Sequence, residues 1–262
     1  GLLRHHKVTI VKGEAVLKAG KIVECNGSHY TAATIVIATG SRPSTLNIPG
    51  SELAIDSTEL LGISSIPKRL TIIGGGVIGL ELASAFNSFG SEVTVIEMME
   101  SLLPQEQPQA VALLKKTLDK SGLTVHLSAK VSKIEKNNGI CRTTITKKGT
   151  NLAIESDVVL IAVGRTPNVD GIDADSGITF TNTRHIVVDE YLQTSVEGVY
   201  AIGDVIGGYQ LAHAAYAEAE LVVDNILMKA SRKPYDDSVM PRCVYTIPSF
   251  AAVGETSGKT AS

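Results

Sequence analysis

The sequence predicts an α/β fold built on a parallel sheet, and three neighbouring segments carry that prediction. Leu70–Ile73 is a short apolar run that leads into a glycine-rich turn, Gly74–Gly79. The amphipathic stretch Val77–Phe89 has the period of a helix, and a second apolar run, Val93–Ile96, follows it. A strand, a helix and a strand in this order form a βαβ unit, whose two strands lie parallel.

The segments before this unit have the pattern of short strands. They are predicted to form a small antiparallel meander followed by a buried strand, with strands at Val8–Lys12, Lys21–Cys25 and Thr34–Ala38 and a turn at Asn26-Gly27. Asp56 and Glu59 have the spacing of a capping box, which predicts the start of a short helix.

The segments after the βαβ unit add one helix and several strands. A helix is predicted at Gln109–Lys120, with Gly122 just past its end. Strands are predicted at Leu123–Leu127, at Val131–Lys136, from the hairpin turn Asn137-Asn138-Gly139 to Thr146, and at Asp157–Val163. Together these elements predict a three-layer Rossmann-like fold, with a central parallel sheet and an antiparallel β-meander.

Two segments of the chain repeat one pattern. Ile37–Pro43 and Ile161–Pro167 each begin with Ile-Ala-x-Gly and have proline three residues after the glycine. This repetition predicts two related domains. The glycine turn at Gly76 precedes the second copy, and a turn at the same distance before the first copy would fall ahead of residue 1. We therefore expect that the chain begins inside a larger protein.

Composition excludes several classes of protein. The 262 residues suffice for two domains, and 44% hydrophobic with 19% charged residues excludes a disordered chain. A net charge of -3 gives no basic field for nucleic acid.

The longest apolar stretch contains four glycines and Glu81, so no membrane span is expected, and no signal peptide is recognised. The cysteines, Cys25, Cys141 and Cys243, are too far apart for a metal pair or a disulfide framework, which favours a reducing cytoplasm and predicts no metal site.

The glycine turn has the GxGxxG spacing of a dinucleotide-binding site. In that arrangement Gly74 permits the tight turn, Gly76 lets a pyrophosphate approach the backbone, and Gly79 lets helix and strand pack closely. The pyrophosphate would then meet the N–H groups at the helix start, including Val77 and Ile78. The alternative is a glycine-rich packing turn that binds no ligand.

Glu97 ends the second strand of the unit, where an acidic residue binds the adenosine ribose hydroxyls of NAD. A 2′-phosphate would face this carboxylate, and the following Met98 and Met99 supply no cation to receive it. The position therefore predicts NAD rather than NADP. The alternative is a solvated residue at a strand end.

Several further motifs resemble those of one family. The chain is similar to the pyridine nucleotide-disulfide oxidoreductases, most closely those of the dihydrolipoamide dehydrogenase type. The similarity extends over nearly the whole sequence, and its motifs are Ile37–Pro43, Gly74–Glu81, Val163–Asn168, Tyr200–Val205, Leu211–Ala214 and Tyr245–Pro248.

The resemblance implies a division of the chain among three domains of an FAD/NAD(P)-binding fold. Residues 1–66 would form the end of the first segment of an FAD domain, and residues 67–185 an NAD domain. Residues 186–234 would return to the FAD domain, and residues 235–262 would begin a dimer interface domain.

The resemblance also implies roles for individual residues. Asp204 would accept hydrogen bonds from the ribityl chain of FAD, although a strand-end turn residue is the alternative. The remaining FAD-binding residues would be Thr39 and Gly40, with the helix start at Leu211, Ala212 and His213 directed at the flavin. His213 by itself indicates a structural role rather than an acid or a base.

Three positions in the predicted NAD domain also correspond to residues of the family. Gly164 and Arg165 would line the nicotinamide nucleotide site. Glu81 corresponds to a glutamate that pairs with a lysine beside the flavin, with an ordinary exposed helix residue as the alternative.

The function that the resemblance implies is transfer of electrons from dihydrolipoamide to NAD through a redox disulfide and FAD, in a homodimer with a 2-oxo acid dehydrogenase complex as its partner. The first FAD motif, the CxxxxC pair and the C-terminal base are not found in the sequence. We therefore expect no catalytic residue within the chain and little activity from it alone. The alternatives are a non-catalytic NAD-binding module and a related flavin reductase acting on another disulfide or on a metal ion.

Overall fold

The computed structural model of the chain describes residues 2–254. Its helices are α1 (Leu2–His5), α2 (Ser57–Leu61), α3 (Val77–Ser88), α4 (Pro108–Lys120) and α5 (Ala212–Leu227). Its strands are β1 (Ala15–Lys18), β2 (Ile22–Cys25), β3 (Ser28–Thr31), β4 (Ile35–Ile37), β5 (Ser41–Pro43), β6 (Arg69–Ile73), β7 (Glu92–Ile96), β8 (Thr124–His126), β9 (Ala129–Asn137), β10 (Ile140–Lys147), β11 (Thr150–Ser156), β12 (Val158–Ile161), β13 (Arg165–Pro167), β14 (Val199–Ala201), β15 (Arg242–Val244) and β16 (Phe250–Ala252).

The chain divides into two compact units. The first unit contains the described residues up to Arg42 together with Thr166–Asp237. The second contains Pro43–Arg165 and the described residues from Ser238 onwards. These limits differ from the ranges 1–66, 67–185, 186–234 and 235–262 predicted from the sequence.

Two segments account for most of that difference. Residues 43–66 pack on the second unit, where Leu60 is fully buried in its core and Ile55 donates a backbone hydrogen bond to Val159. Residues 166–185 pack on the first unit, where the amide of Leu17 donates to the carbonyl of Gly171 and Ile178 joins the core. Burial of apolar side chains therefore places both segments in these compact units, and the domain ranges 1–66, 67–185, 186–234 and 235–262 stay a prediction.

The second unit has the three layers that the sequence predicts. Its parallel sheet has the order β12-β6-β7-β8. One face packs against α3 and α4, in a core made of alternate strand residues such as Leu70 and Ile72. The other face, with Ile73 and Ile96, packs against the antiparallel meander β11-β10-β9. Both faces of the sheet are thus covered, as a parallel sheet requires.

The first unit repeats part of this plan. It contains an antiparallel meander, β1-β2-β3, and a parallel pair, β14-β4. Its core joins residues of the meander and of the pair, including Leu17, Ile37 and Val199. The repeated sequence pattern also has a structural counterpart, because the last residues of β4 and β12, Ile37 and Ile161, each precede by three positions a glycine at positive φ. These φ angles are +69° at Gly40 and +128° at Gly164.

Most predicted elements are confirmed, and the exceptions have physical reasons. The capping box is present, since the Asp56 carboxylate accepts from the amides of Thr58 and Glu59 while the Asp56 amide donates to Glu59. The predicted strand at Val8–Lys12 is wrong, because that segment is exposed and pairs with no strand in the described part of the chain. Strands that the sequence did not predict are β1, β3, β5, β11, β13, β15 and β16. Among residues 2–254, no helix combines the length and the apolar character needed to cross a membrane.

Helix α4 offers a direct test of which side chains hold the second unit together. Leu118 is fully buried, whereas Leu113 is 66% exposed on the same helix. We expect Leu118→Ala to lower the free energy of unfolding by about 2–5 kcal/mol, because it removes packed methyl groups and leaves a cavity. Leu113→Ala should change it by less than about 0.5 kcal/mol. Urea unfolding of both variants measures the difference, and equal losses would contradict the packing described.

Candidate functional site

The turn between β6 and α3 can be built only from glycine at two of its positions. Gly74 has φ +118°, and a β-carbon there would lie 2.2 Å from the carbonyl oxygen of Ala162. A β-carbon on Gly79 would lie 2.1 Å from the carbonyl oxygen of Gly74. Helix, turn and neighbouring strand therefore approach each other with no room for a side chain.

Gly76 shows the opposite situation. Its backbone has φ −81°, and a β-carbon there would meet no atom of residues 2–254 within 4 Å. The glycine is therefore not required by packing, and the space beside it is open. Leu80 donates the first backbone hydrogen bond of α3, to the carbonyl of Gly76. The amides of Val77, Ile78 and Gly79 thus precede the helical hydrogen-bond pattern, and they form the positive end of the helix.

Glu97 lies beside this turn. One of its carboxylate oxygens accepts from the amide of Gly75 at 2.6 Å, and the other accepts from the amide of Met99 at 2.7 Å. These two bonds fix the carboxylate at the end of β7. A carboxylate oxygen can accept more than one hydrogen bond, so the group can still receive hydroxyl donors.

Gly164 belongs to the segment that follows β12, and this segment lies close to the same turn. The amide of Ala162 donates to the carbonyl of Ile73 at 2.8 Å, which places the residues after β12 beside the start of the turn. The carbonyl of Gly164 accepts from the amide of Ser44 at 3.0 Å, and Arg165 is half-buried. The structure therefore brings Gly74, Gly76, Gly79, Glu97, Gly164 and Arg165 into one unit.

Glu81 has a contact that the sequence did not predict. Its carboxylate accepts a hydrogen bond from the amide of Tyr245 at 2.9 Å, and the side chain is half-buried. One turn further along α3, the hydroxyl of Ser84 accepts from the amide of Ile247. Residues 245–247 are therefore docked on α3, so Glu81 is not an ordinary exposed helix residue. Its role beside a flavin stays a prediction.

Sequence reasoning missed two residues at the turn, Leu102 and Leu103. The amide of Leu103 donates to the carbonyl of Gly75 at 3.2 Å, from a loop that follows Glu97 in the chain. The side chain of Leu102 packs against Gly75, where a β-carbon would lie 2.5 Å from it. No sequence pattern marks either leucine, because each resembles an ordinary core residue.

The predicted FAD-binding residues lie together in the first unit. The hydroxyl of Thr39 donates to the carbonyl of Asn168 at 2.6 Å, and the carbonyl of Gly40 accepts from the amide of Asn168. The hydroxyl of Ser41 donates to the carboxylate of Asp204 at 2.5 Å. Asp204 therefore has a fixed orientation in the short helical turn that follows β14.

Helix α5 begins as the sequence predicts. Leu211 is its N-cap residue, and the carbonyl of Leu211 accepts from the amide of Ala215. The amides of Ala212, His213 and Ala214 thus precede the helical pattern, as those at α3 do. His213 itself is exposed.

A buried carboxylate connects α5 to the segment containing Asp204. Glu218 is 5% exposed and accepts from the amide of Gly203 at 2.6 Å. Burial raises the pKa of this carboxyl above its ordinary value, although the bonds from Gly203 and from the hydroxyl of Tyr235 partly oppose the shift. Glu218 was not singled out from the sequence.

No group of metal-binding side chains occurs within residues 2–254, and Cys25, Cys141 and Cys243 are free thiols.

The two units together define a protein of the Rossmann-like class with a dinucleotide-type turn. The sequence profile described as "pyridine nucleotide-disulphide oxidoreductase" matches residues 1–219. The chain belongs to the pyridine nucleotide-disulphide oxidoreductase family, as the sequence motifs predict.

Individual relatives agree with this assignment. The dihydrolipoyl dehydrogenase of Thermus scotoductus is 39% identical over 261 residues, covering 98% of this chain and 56% of the relative. The mercuric reductase of Lysinibacillus sphaericus is 36% identical over 258 residues, covering 97% and 47%. The HOCl-induced flavoprotein disulfide reductase RclA from Escherichia coli has a TM-score of 0.86 and 29% identity, covering 95% and 58%. The chain thus spans about half the length of the curated relatives it matches.

Glu218 should make stability depend on pH in a definite direction. A carboxyl whose pKa is higher in the folded state binds more protons there, so its contribution to stability falls as pH rises above the ordinary value of 4.5. We expect the wild type to lose unfolding free energy, relative to Glu218→Gln, as pH rises from about 4.5 to 7. Urea unfolding of both proteins across this range measures the difference, and parallel curves would contradict the assignment.

Proposed function

We propose that the second unit binds NAD(H), with the pyrophosphate against the glycine turn. The single observation that carries the proposal is the open space at Gly76. Gly74 and Gly79 are explained by packing, but no contact within the described part of the chain requires a glycine at position 76. A dinucleotide supplies the reason, because its pyrophosphate must approach the backbone amides that begin α3.

Glu97 supports NAD as the nucleotide. Its carboxylate is fixed beside the turn by two backbone amides, and it keeps accepting capacity for the ribose hydroxyls. A 2′-phosphate would bring two or nearly two negative charges towards this carboxylate. The exposed Met98 and Met99 offer no compensating cation.

We propose that the first unit contributes part of an FAD site. Asp204 would accept hydrogen bonds from the ribityl hydroxyls, and the N-terminal amides of α5 would face the part of the flavin that becomes negative on reduction. Ser41 orients Asp204, and Thr39 and Gly40 are fixed through Asn168. When bound, FAD would carry electrons and NAD would accept or donate a hydride.

For the whole protein we propose oxidation of a dithiol of the dihydrolipoamide type, with NAD as the acceptor, in a homodimer associated with a 2-oxo acid dehydrogenase complex. Support comes from the several relatives named dihydrolipoyl dehydrogenase. The domain ranges 1–66, 67–185, 186–234 and 235–262 belong to this proposal. We propose that the chain alone has little activity, because the described residues offer no pair of cysteines close in sequence. The three free thiols also suit a cytoplasmic location.

Reduction of a metal ion is the second candidate for the whole protein. The mercuric reductase relative is as similar to this chain as the Mycoplasma genitalium dihydrolipoyl dehydrogenase, at 36% identity each.

A non-catalytic NAD-binding module is the third candidate. A yellow, flavin-containing preparation would oppose that module, because a protein that binds only NAD has no use for FAD.

Substitution at Gly76 tests the site without disturbing the fold. Gly76→Ala should weaken NADH binding by about tenfold or more, since the added methyl group occupies the space for the pyrophosphate. Its melting temperature should stay close to that of the wild type. Gly62→Ala is the matched control, because Gly62 has an ordinary φ of −95° and only ordinary contacts. Equal NADH affinity of the two variants in a fluorescence titration would contradict the proposed site.

Glu97 makes a separate prediction about nucleotide choice. The wild type should bind NADH about tenfold or more tightly than NADPH, because the 2′-phosphate meets a carboxylate. Glu97→Gln should narrow this ratio, since the amide keeps an acceptor atom but removes the charge. Titration of both nucleotides with both proteins measures the ratio. Comparable affinity of the wild type for NADH and NADPH would refute this role.

A further inference from the structure

An ion pair within the second unit connects two segments that are far apart in sequence. Arg242 on β15 donates from Nε to Oε1 of Glu106 at 3.0 Å and from Nη2 to Oε2 at 3.2 Å. The two side chains are only 15% and 11% exposed. A planar guanidinium that meets both oxygens of a carboxylate in this way fixes the relative position of the two residues.

Glu106 closes a strained turn. Its amide donates to the carbonyl of Leu103 at 2.9 Å. Leu103 has φ +42°, in the left-handed region that bulky residues rarely adopt, and it is only 4% exposed. Such a conformation persists only where the surrounding structure holds it, and such strain is concentrated at functional sites. Glu106, the residue that closes this turn, is also the ion-pair partner of Arg242.

The strained residue is the one that contacts the dinucleotide turn. The amide of Leu103 donates to the carbonyl of Gly75. A peptide unit is planar and trans, so the carbonyl of Gly75 and the amide N–H of Gly76 point in opposite directions. Holding that carbonyl against Leu103 therefore fixes the Gly76 N–H within the same plane, pointing away from Leu103. The amide of Gly75 is separately fixed by Glu97.

We infer that Arg242 is a positioning residue for NAD(H), acting through Glu106 and Leu103 on the peptide unit between Gly75 and Gly76. The residue lies more than a hundred positions after the turn in the sequence, within the predicted interface range 235–262. The same range is docked on α3 through Tyr245 and Ile247, so it contacts both the helix and the loop that border the turn. This inference rests on the proposed NAD(H) site.

The test compares NADH affinity with thermal stability in three variants. Arg242→Lys keeps the charge but loses the two-pronged contact, and we expect it to weaken NADH binding by about fivefold or more. The double variant Glu106→Arg with Arg242→Glu restores an ion pair in the reverse sense and should recover part of the lost affinity. Asp119→Asn breaks the exposed Lys115–Asp119 pair on α4 and should leave NADH affinity unchanged. Melting temperatures are measured on the same preparations.

Hydrogen exchange adds a measurement that needs no nucleotide. The amide of Leu103 should exchange at least fivefold faster in Arg242→Lys than in the unmodified chain. If Arg242→Lys does not fold, Glu106→Gln, which keeps an acceptor oxygen, is measured in its place with the same expectation.

The outcomes separate the inference from the proposed function. Failure of the unmodified chain to bind NADH would overturn the proposed function and, with it, this inference. Binding by the unmodified chain with unchanged affinity in Arg242→Lys would overturn the inference alone, even if the melting temperature fell. Weaker binding together with faster Leu103 exchange supports it.

Discussion

The second unit depends on an approach between two stretches of backbone at the start of α3. The carbonyl oxygen of Gly74 lies where a side chain on Gly79 would otherwise begin. That approach directs α3 along the sheet and leaves its first amides at the end of β6. The open space at Gly76 has functional meaning only because the residues on either side of it are fixed in this way.

Several contacts then hold the turn from different directions. The amide of Gly75 donates to the carboxylate of Glu97, and the carbonyl of Gly75 accepts from the amide of Leu103. Both backbone polar groups of Gly75 therefore already have partners. The amides of Val77, Ile78 and Gly79 come before the first helical hydrogen bond of α3, which Leu80 donates to Gly76. A preformed set of donors of this kind can bind an anion without the cost of reorganising the backbone. The family membership of the chain is consistent with such a site.

The sequence was informative where a residue type has one physical explanation. Gly74 in the GxGxxG turn, the capping box at Asp56 and the hairpin at Asn138-Gly139 each require a particular backbone geometry, and the structure shows it. The strand predicted at Val8–Lys12 failed because alternation alone does not guarantee a pairing partner. The polar, exposed strand β11 was missed because its stability comes from pairing with β10 rather than from burial.

Contacts between distant segments could not be predicted from the sequence. Leu103 acts through its amide, which every residue except proline possesses, and its positive φ is not typical of leucine. Arg242 and Glu106 have no recognisable spacing, since only the folded chain brings them together. The unit boundaries differ from the predicted ranges for a similar reason, because they depend on which core receives residues 43–66 and 166–185.

Amide chemical shifts test most directly whether the bare backbone at this turn receives the nucleotide. In a ¹⁵N-labelled chain titrated with NADH, the account predicts that the largest shifts fall on the amides of Gly76, Val77, Ile78 and Gly79. Saturating shifts that spare these four amides and fall elsewhere in the second unit would contradict it.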